Sequence, residues 1–141
     1  MSQEKLISTL NAILEHELAG VVRYTHYSFM VFGHNRIPIV KWLRDQASES
    51  LAHAQQIGEF ITSFEGHPSL KIAKLLETEQ HTIQDILKES IEHEKGQLAL
   101  YYDLLKIAEG KHIALEEYAR QMISEEEMHI SEVSKMLRSG K

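Results

Sequence analysis

The sequence predicts an all-α fold: four long helices arranged as two antiparallel hairpins joined by one long crossover. Three observations point there. Prolines number only two, and the strongest breakers fall at three places: GHNRIP at 33–38, EGHP at 65–68 and Gly110-Lys111. Between these breaks, apolar residues recur at spacings of three and four, the period of an amphipathic helix. The connections are also unequal, short at the first and third breaks and long at the second.

The first helix is expected over 3–32, with Gly33 suited to a left-handed C-terminal cap. The second is expected over 37–64, with Pro38 in a first turn where its missing N–H costs nothing. The stretch 65–78 follows, with scattered Leu70, Ile72, Leu75 and Leu76. At about 3.3 Å per extended residue it can run the length of helices of ~40 Å, at about 1.5 Å per residue. The third helix is expected over 79–109, closing at Gly110, and the fourth over 112–138. Short links make the first and last pairs hairpins, and the crossover separates this topology from a simple up-and-down bundle. A length of 141 residues suits one domain over 1–141, large enough to bury a core without disulfide staples.

Composition narrows the function. With 15 basic against 21 acidic residues, the net charge of −6 disfavours nucleic acid and anionic lipid as partners and favours cations. Cysteine is absent, so thiolate metal sites and disulfides are excluded, which fits a cytoplasmic location. MSQEKLISTL has no apolar signal-peptide core, and no run of about 18 apolar residues exists to span a membrane.

The candidate core stripes carry the chemical signal. They run Leu6, Leu10, Ile13, Glu17, Val21, Tyr24 in the first helix, and Ile39, Leu43, Gln46, Ser50, His53, Ile57, Phe60, Phe64 in the second. The third reads Ile83, Leu87, Ile91, Glu94, Leu98, Tyr101, Leu105, and the fourth Leu115, Ala119, Met122, Glu126, His129, Val133, Met136. Every stripe turns polar near its middle, so side-by-side packing brings Glu17, His53, Glu94, Glu126 and His129 to one level. Carboxylates meeting in a dry core are costly and raise one another's pKa unless protonated or paired with cations. Neutral imidazoles among them favour cations, because histidine and carboxylate together suit divalent transition metals. Glu126 and His129, three apart, lean to the same helix face. His16, His93 and His112 fall off the stripes and read as surface residues. His26, His34, His67 and His81 read as surface or loop histidines. Tyr24 and Tyr101 read as amphipathic core residues. The two halves of the chain also echo each other: LEHELAG at 14–20 matches IEHEKGQ at 91–97, and SESLAH at 48–53 matches SEEEMH at 124–129.

These residues resemble the bacterioferritin branch of the ferritin-like di-iron carboxylate superfamily over most of the chain. HELAGVVRY at 16–24 is similar to that family's first ligand helix, FEGHPSLKIAKL at 64–75 to its crossover, and EHEKG at 92–96 and EEMH at 126–129 to its later ligand motifs. The resemblance implies a ferritin-like four-helix bundle in the cytoplasm, assembled as a homo-oligomer of two or more copies. It would hold a dinuclear iron site that oxidises Fe(II) with dioxygen or peroxide, with Tyr24 as an accessory residue able to donate a hydrogen bond or an electron. Three departures stand out. Ser50 occupies the place of a bridging glutamate three residues before His53, while the adjacent Glu49 points about 100° away around the helix. Leu51 aligns with the haem-ligating methionine, so no haem is expected. Only twelve residues follow His129, too few for the short fifth helix that lines cage openings in many members.

The expected site has Glu17, His53 and Glu126 at one metal and Glu94, His129 and Glu126 at the other. Water, hydroxide or a reoriented Glu49 would fill the gap left by Ser50. The leading reading is a ferroxidase in iron homeostasis or oxidant detoxification. Two alternatives stay open: a metal-binding protein without turnover, structural or iron-handling, and a metal-free helical interaction module.

Overall fold

The computed structural model describes residues 2–138. Four helices account for most of them: α1 (Ser2–Phe29), α2 (Arg36–Ser63), α3 (Ile83–Ala108) and α4 (Ile113–Leu137). α1 packs most extensively on α2 and α3 on α4, with α1 also meeting α3. The segment 64–82 travels along α1. Gln3 donates to the Phe64 carbonyl, Asn11 donates to the His67 carbonyl and accepts from the Ser69 N–H, and the Ala73 N–H donates to the Glu15 carbonyl. α3 therefore starts beside the end of α1 and runs back against it. Along the chain the helices point up, down, down and up, the arrangement that two hairpins and one crossover predict. Among the described residues, no helix is long and apolar enough to cross a membrane.

The helix ends refine the expected boundaries. α1 stops at Phe29 rather than 32, and Gly33 does not cap it. The Arg36 guanidinium instead takes up the last carbonyls, donating to Val31 O at 2.7 Å and Ser28 O at 3.4 Å. Gly33, at φ 101°, turns the chain toward α2. α2 ends in a reciprocal pair of bonds, Gly66 N–H to Ile61 O and Glu65 N–H to Thr62 O. The left-handed position of that cap falls on Glu65 (φ 62°), not on the neighbouring glycine. α3 begins at Ile83 rather than 79. Thr82 is its N-cap, accepting from the Asp85 N–H at 3.0 Å, and Glu79 at φ 57° is outside the helical region. Gly110, at φ 75°, follows the C-cap of α3 as expected.

The interior is divided. One apolar cluster gathers Leu6, Leu10, Ile57, Ile61, Leu104, Leu115 and Met122, and the other Tyr27, Val31, Val40, Leu43 and Ile86. Between them in sequence on α1, α2 and α3 lie the buried polar residues Glu17, Ser50 and Glu94, and on α4 the buried Glu126 follows Met122 and Ile123 of the first cluster. The expected stripes hold for most of α1, α2 and α4, except that Met136 is exposed. In α3 the buried face is turned by about one residue, through Ile86, Leu87, Ser90, His93, Glu94, Gln97, Tyr101 and Leu104. Ile91, Leu98 and Leu105 are consequently only half-buried.

Candidate metal centre

The polar layer gathers side chains from all four helices around one small pocket, lined by Glu17, Tyr24, Gln46, Glu49, Ser50, His53, Glu94, Glu126 and His129. Glu17 and Glu126 are each 2% exposed and Glu94 6%. Beside a half-buried group of Glu49, His53 and Glu125, two deeper triads have ligand atoms within 4.8 Å of one another: Glu17, His53 and Glu126, and Glu94, Glu126 and His129. Glu126 belongs to both. A helix of period 3.6 explains this economy, since Glu126 and His129 share a face of α4 while Glu17 and Glu94 enter from α1 and α3.

The two triads differ in how the protein holds them. Ser50 Oγ donates toward both the Glu17 carbonyl (2.6 Å) and its Oε1 (2.7 Å), and Tyr101 donates to Glu17 Oε2 at 2.7 Å. His53 Nδ1 lies 3.3 Å from the same Oε2. Glu126 Oε2 and His129 Nδ1, by contrast, are buried with no hydrogen-bond partner among the described residues. His129 Nδ1 stands 3.7 Å from Glu94 Oε1, too long for a hydrogen bond. A buried carboxyl oxygen and an imidazole nitrogen left unpartnered at one point are costly for the protein alone. They fit a cation, because both atoms offer lone pairs.

Electrostatics say the same. Burial first, then the charges of Glu94 and Glu17, push the Glu126 carboxyl up to about 10. The Glu94 carboxylate is the main influence raising the His129 pKa, with Glu49 and Glu125 adding to it against the effect of burial. Burial lowers the His53 pKa, but Glu17, Glu125 and Glu49 outweigh it and leave it raised. Burial, then Glu94 and Glu126, raises the Tyr24 phenol well above its usual value. The metal-free pocket therefore holds a proton on Glu126 rather than a further negative charge, a proton that divalent cations would displace.

Several sequence expectations need correction. Tyr101 is not simply a core residue, because its hydroxyl holds Glu17. Glu49 stands at the half-exposed edge of the pocket, its Oε1 3.6 Å from His129 Nε2. Glu125, which no stripe includes, stands 3.6 Å from His53 Nε2. His93 is buried rather than on the surface, stacked on His16 with ring centroids 4.1 Å apart, and burial, then the charges of His16 and Arg23, lower it to about 3. The one-residue rotation of α3 is the cause. His16 is half-buried, its Nδ1 2.6 Å from Gln97 Oε1, and His112 is half-buried against Phe64. His34 and His67 are exposed, whereas His26 and His81 meet at Glu77.

A ferritin-like domain model matches residues 7–141. None of the curated proteins matches the chain. Among solved structures, a ferritin-like, diiron-carboxylate protein of Bacillus anthracis str. Ames superposes with a TM-score of 0.92 at 22% identity, over 98% of this chain and 99% of that one. The bacterioferritin of Rhodobacter capsulatus gives 0.83 at 24% identity, over 95% and 84%. The dodecameric thioferritin of Bacteroides fragilis, a bacterioferritin-related protein, gives 0.85 at 23% identity, over 96% and 85%. The match over nearly the whole sequence, on a bundle with this crossover, makes the chain a member of the ferritin-like domain family, with the fold of bacterioferritins and diiron-carboxylate proteins.

Proposed function

We propose that the chain is a ferroxidase, taking Fe(II) as substrate at a dinuclear centre inside the bundle and dioxygen or peroxide as oxidant. The observation that carries this reading is the shared Glu126: two carboxylate–histidine triads meet at one buried carboxyl group with an unpartnered oxygen. Glu17 and His53 would hold one ion, Glu94 and His129 the other, and Glu126 both. Three carboxylates, formally −3, suit two divalent ions, and iron in both its ferrous and ferric states suits carboxylate and imidazole donors. A pair of ferrous ions supplies two electrons, enough to reduce dioxygen to hydrogen peroxide or hydrogen peroxide to water. The chain's own part is to concentrate the ions and to exclude bulk water with the two apolar clusters. It must also give up protons. Because Glu126, His53 and His129 all have raised pKa values, cation binding should release protons and strengthen as pH rises. Tyr24 would supply a hydrogen bond or an electron at the edge of the pocket. In this reading the chain forms one ferritin-like unit, cytoplasmic and homo-oligomeric. Exposed Phe29, Phe32 and Ile37 near the α1–α2 turn support the last point.

Aerobic addition of ferrous ion should give oxidation faster than in protein-free buffer, and Glu94→Ala should bring the rate down to that background. An unchanged rate in Glu94→Ala would remove the enzyme reading. Ser50 supports a second reading, metal binding without turnover, since a hydroxyl bonded to Glu17 stands where a fourth carboxylate would contribute charge. Tight binding of iron with no oxidation trace would select it.

A further inference from the structure

The end of the crossover carries another set of metal-ligating side chains, none of which lines the buried centre. His26 comes from the last turn of α1, and Glu77 and His81 from the approach to α3. His26 Nε2 lies 2.9 Å from Glu77 Oε2, His81 Nε2 lies 3.4 Å from Glu77 Oε1, and the two Nε2 atoms are 3.3 Å apart. Donors around a tetrahedral Zn(II), each about 2.0–2.1 Å from the ion, stand roughly 3.3 Å from one another. The Nε2–Nε2 and His81–Glu77 spacings are of that size and the His26–Glu77 spacing is shorter, with Glu77 turning a different carboxylate oxygen to each imidazole.

Hydrogen bonding alone leaves this cluster frustrated. If each imidazole donates its Nε2–H to Glu77, two N–H groups confront each other at 3.3 Å. If one Nε2 accepts from the other instead, it has no proton to give the carboxylate. A cation removes the conflict, because all three atoms then act as lone-pair donors. The ligands are also held in place. Glu77 Oε1 accepts from the Glu79 N–H at 2.7 Å, and Thr78 donates to Glu89 Oε2 at 2.6 Å. Glu89 Oε1 in turn accepts from Tyr27 of α1 at 2.7 Å, so this part of the crossover is tied to both α1 and α3. Such partners around a ligating carboxylate fix its orientation. A cavity lined by Val22, Arg23, Tyr27 and Leu75 adjoins His26 and Glu77.

We propose that His26, Glu77 and His81 form a second, mononuclear site for a divalent cation, Zn(II) by its donor set and spacing, with a fourth position left to water or a small anion. Two imidazoles and one carboxylate are a borderline donor set, suited to Zn(II) and poorly suited to Mg(II) or Ca(II). Bound there, the ion clamps the crossover to α1.

The test uses the full chain carrying His53→Ala, Glu94→Ala and Glu126→Ala, which takes at least one ligand from every group of possible metal ligands around the buried centre. The outcome is then independent of whether that centre oxidises iron. Titrated with Zn(II), this protein should bind one equivalent. Adding His81→Ala should abolish it. So should Glu77→Gln, which keeps an acceptor for the Glu79 N–H and guards against a histidine variant that fails to fold, as helical ellipticity will report. Wild-type crystals soaked in Zn(II) should show an anomalous peak among the three side chains at the zinc edge. Absence of the equivalent from the starting protein, or its survival in both added variants, overturns the site.

Discussion

The two halves of the buried centre present the same residue types but are built differently. In the half nearer α2, Glu17 is fully occupied by its own protein: Ser50, Tyr101 and His53 all reach it. In the half nearer α4, Glu126 Oε2 and His129 Nδ1 are buried and have no hydrogen-bond partner among the described residues. Both hairpins place a histidine three residues after a polar side chain, but α4 has glutamate there and α2 has serine. The difference teaches where the protein provides its own counter-groups and where, on the proposed reading, a cation would supply them. The α4 half should be the tighter metal site. The α2 half should be the one that folds well without metal.

Glu126→Gln tests this contrast most severely. Glu126 is raised from 4.5 to about 10 in the folded chain, so folding takes up a proton there. Its contribution to metal-free stability is fully present below pH 4.5 and declines as pH rises toward 10. At pH 7 the interval from 4.5 amounts to about 3 kcal/mol at 1.36 kcal/mol per unit. Glutamine has no such dependence. The metal-free variant should therefore melt above wild type by roughly 6–12 °C at pH 7, at about 2–4 °C per kcal/mol, with the gap widening from pH 5 to pH 9. Added Zn(II) should narrow the gap by stabilising wild type more than the variant, since the site at His26, Glu77 and His81 is common to both. A variant that melts below wild type across that range would contradict the unpaired-charge account of the α4 half.

Ser50→Ala probes the opposite half and should have the opposite sign. It removes the donor from Glu17 Oε1, leaving a buried carboxylate oxygen short of a partner, at a cost of about 1.5–3 kcal/mol for a bond to a charged group. The loss should appear in the metal-free protein and shrink when Zn(II) is added, since an ion can take over the oxygen. An equal loss with and without metal would mean that Ser50 acts only through packing. Packing is tight there: a Cβ on Gly20 of α1 would fall 2.6 Å from Ser50 Oγ and 3.0 Å from His93 Nε2. Gly20→Ala should accordingly cost about 1–2 kcal/mol, overpacking outweighing the roughly 1 kcal/mol that alanine gains in a helix. The cost should fall in the Ser50→Ala background, where the nearest clash is gone. Chemical denaturation of the four proteins of that cycle measures it.

Much of this was legible from periodicity. Four long helices, their pairing and the crossover followed from three breaks and unequal links, because those features act locally. So did the common level of Glu17, Glu94 and Glu126, since three- and four-residue spacing locates a face wherever the helix packs. What periodicity cannot resolve is a rotation of one residue. His93 and Glu94 are adjacent, and only packing of α3 against α1 decides that both are buried. Long-range partners were equally hidden. Tyr101 is 84 positions from Glu17, and nothing in the spelling of either helix announces their bond. His26 and His81 read as surface residues because their shared partner, Glu77, lies in a crossover with no period to read.

Tyr101→Phe is the mildest and most specific probe of the contrast. It keeps the ring that packs in the apolar cluster and removes only the hydroxyl that donates to Glu17 Oε2. His53 Nδ1 remains 3.3 Å from that oxygen, so the oxygen is not left bare and the cost should be about 1 kcal/mol. The freed carboxylate oxygen is then a better ligand. Binding of the second equivalent of metal at the buried centre should tighten slightly, while the first, held by Glu94, Glu126 and His129, should not move. Calorimetric titration of the two proteins under anaerobic conditions separates the steps. A change in the first step with none in the second would reverse the assignment of which half the protein satisfies for itself.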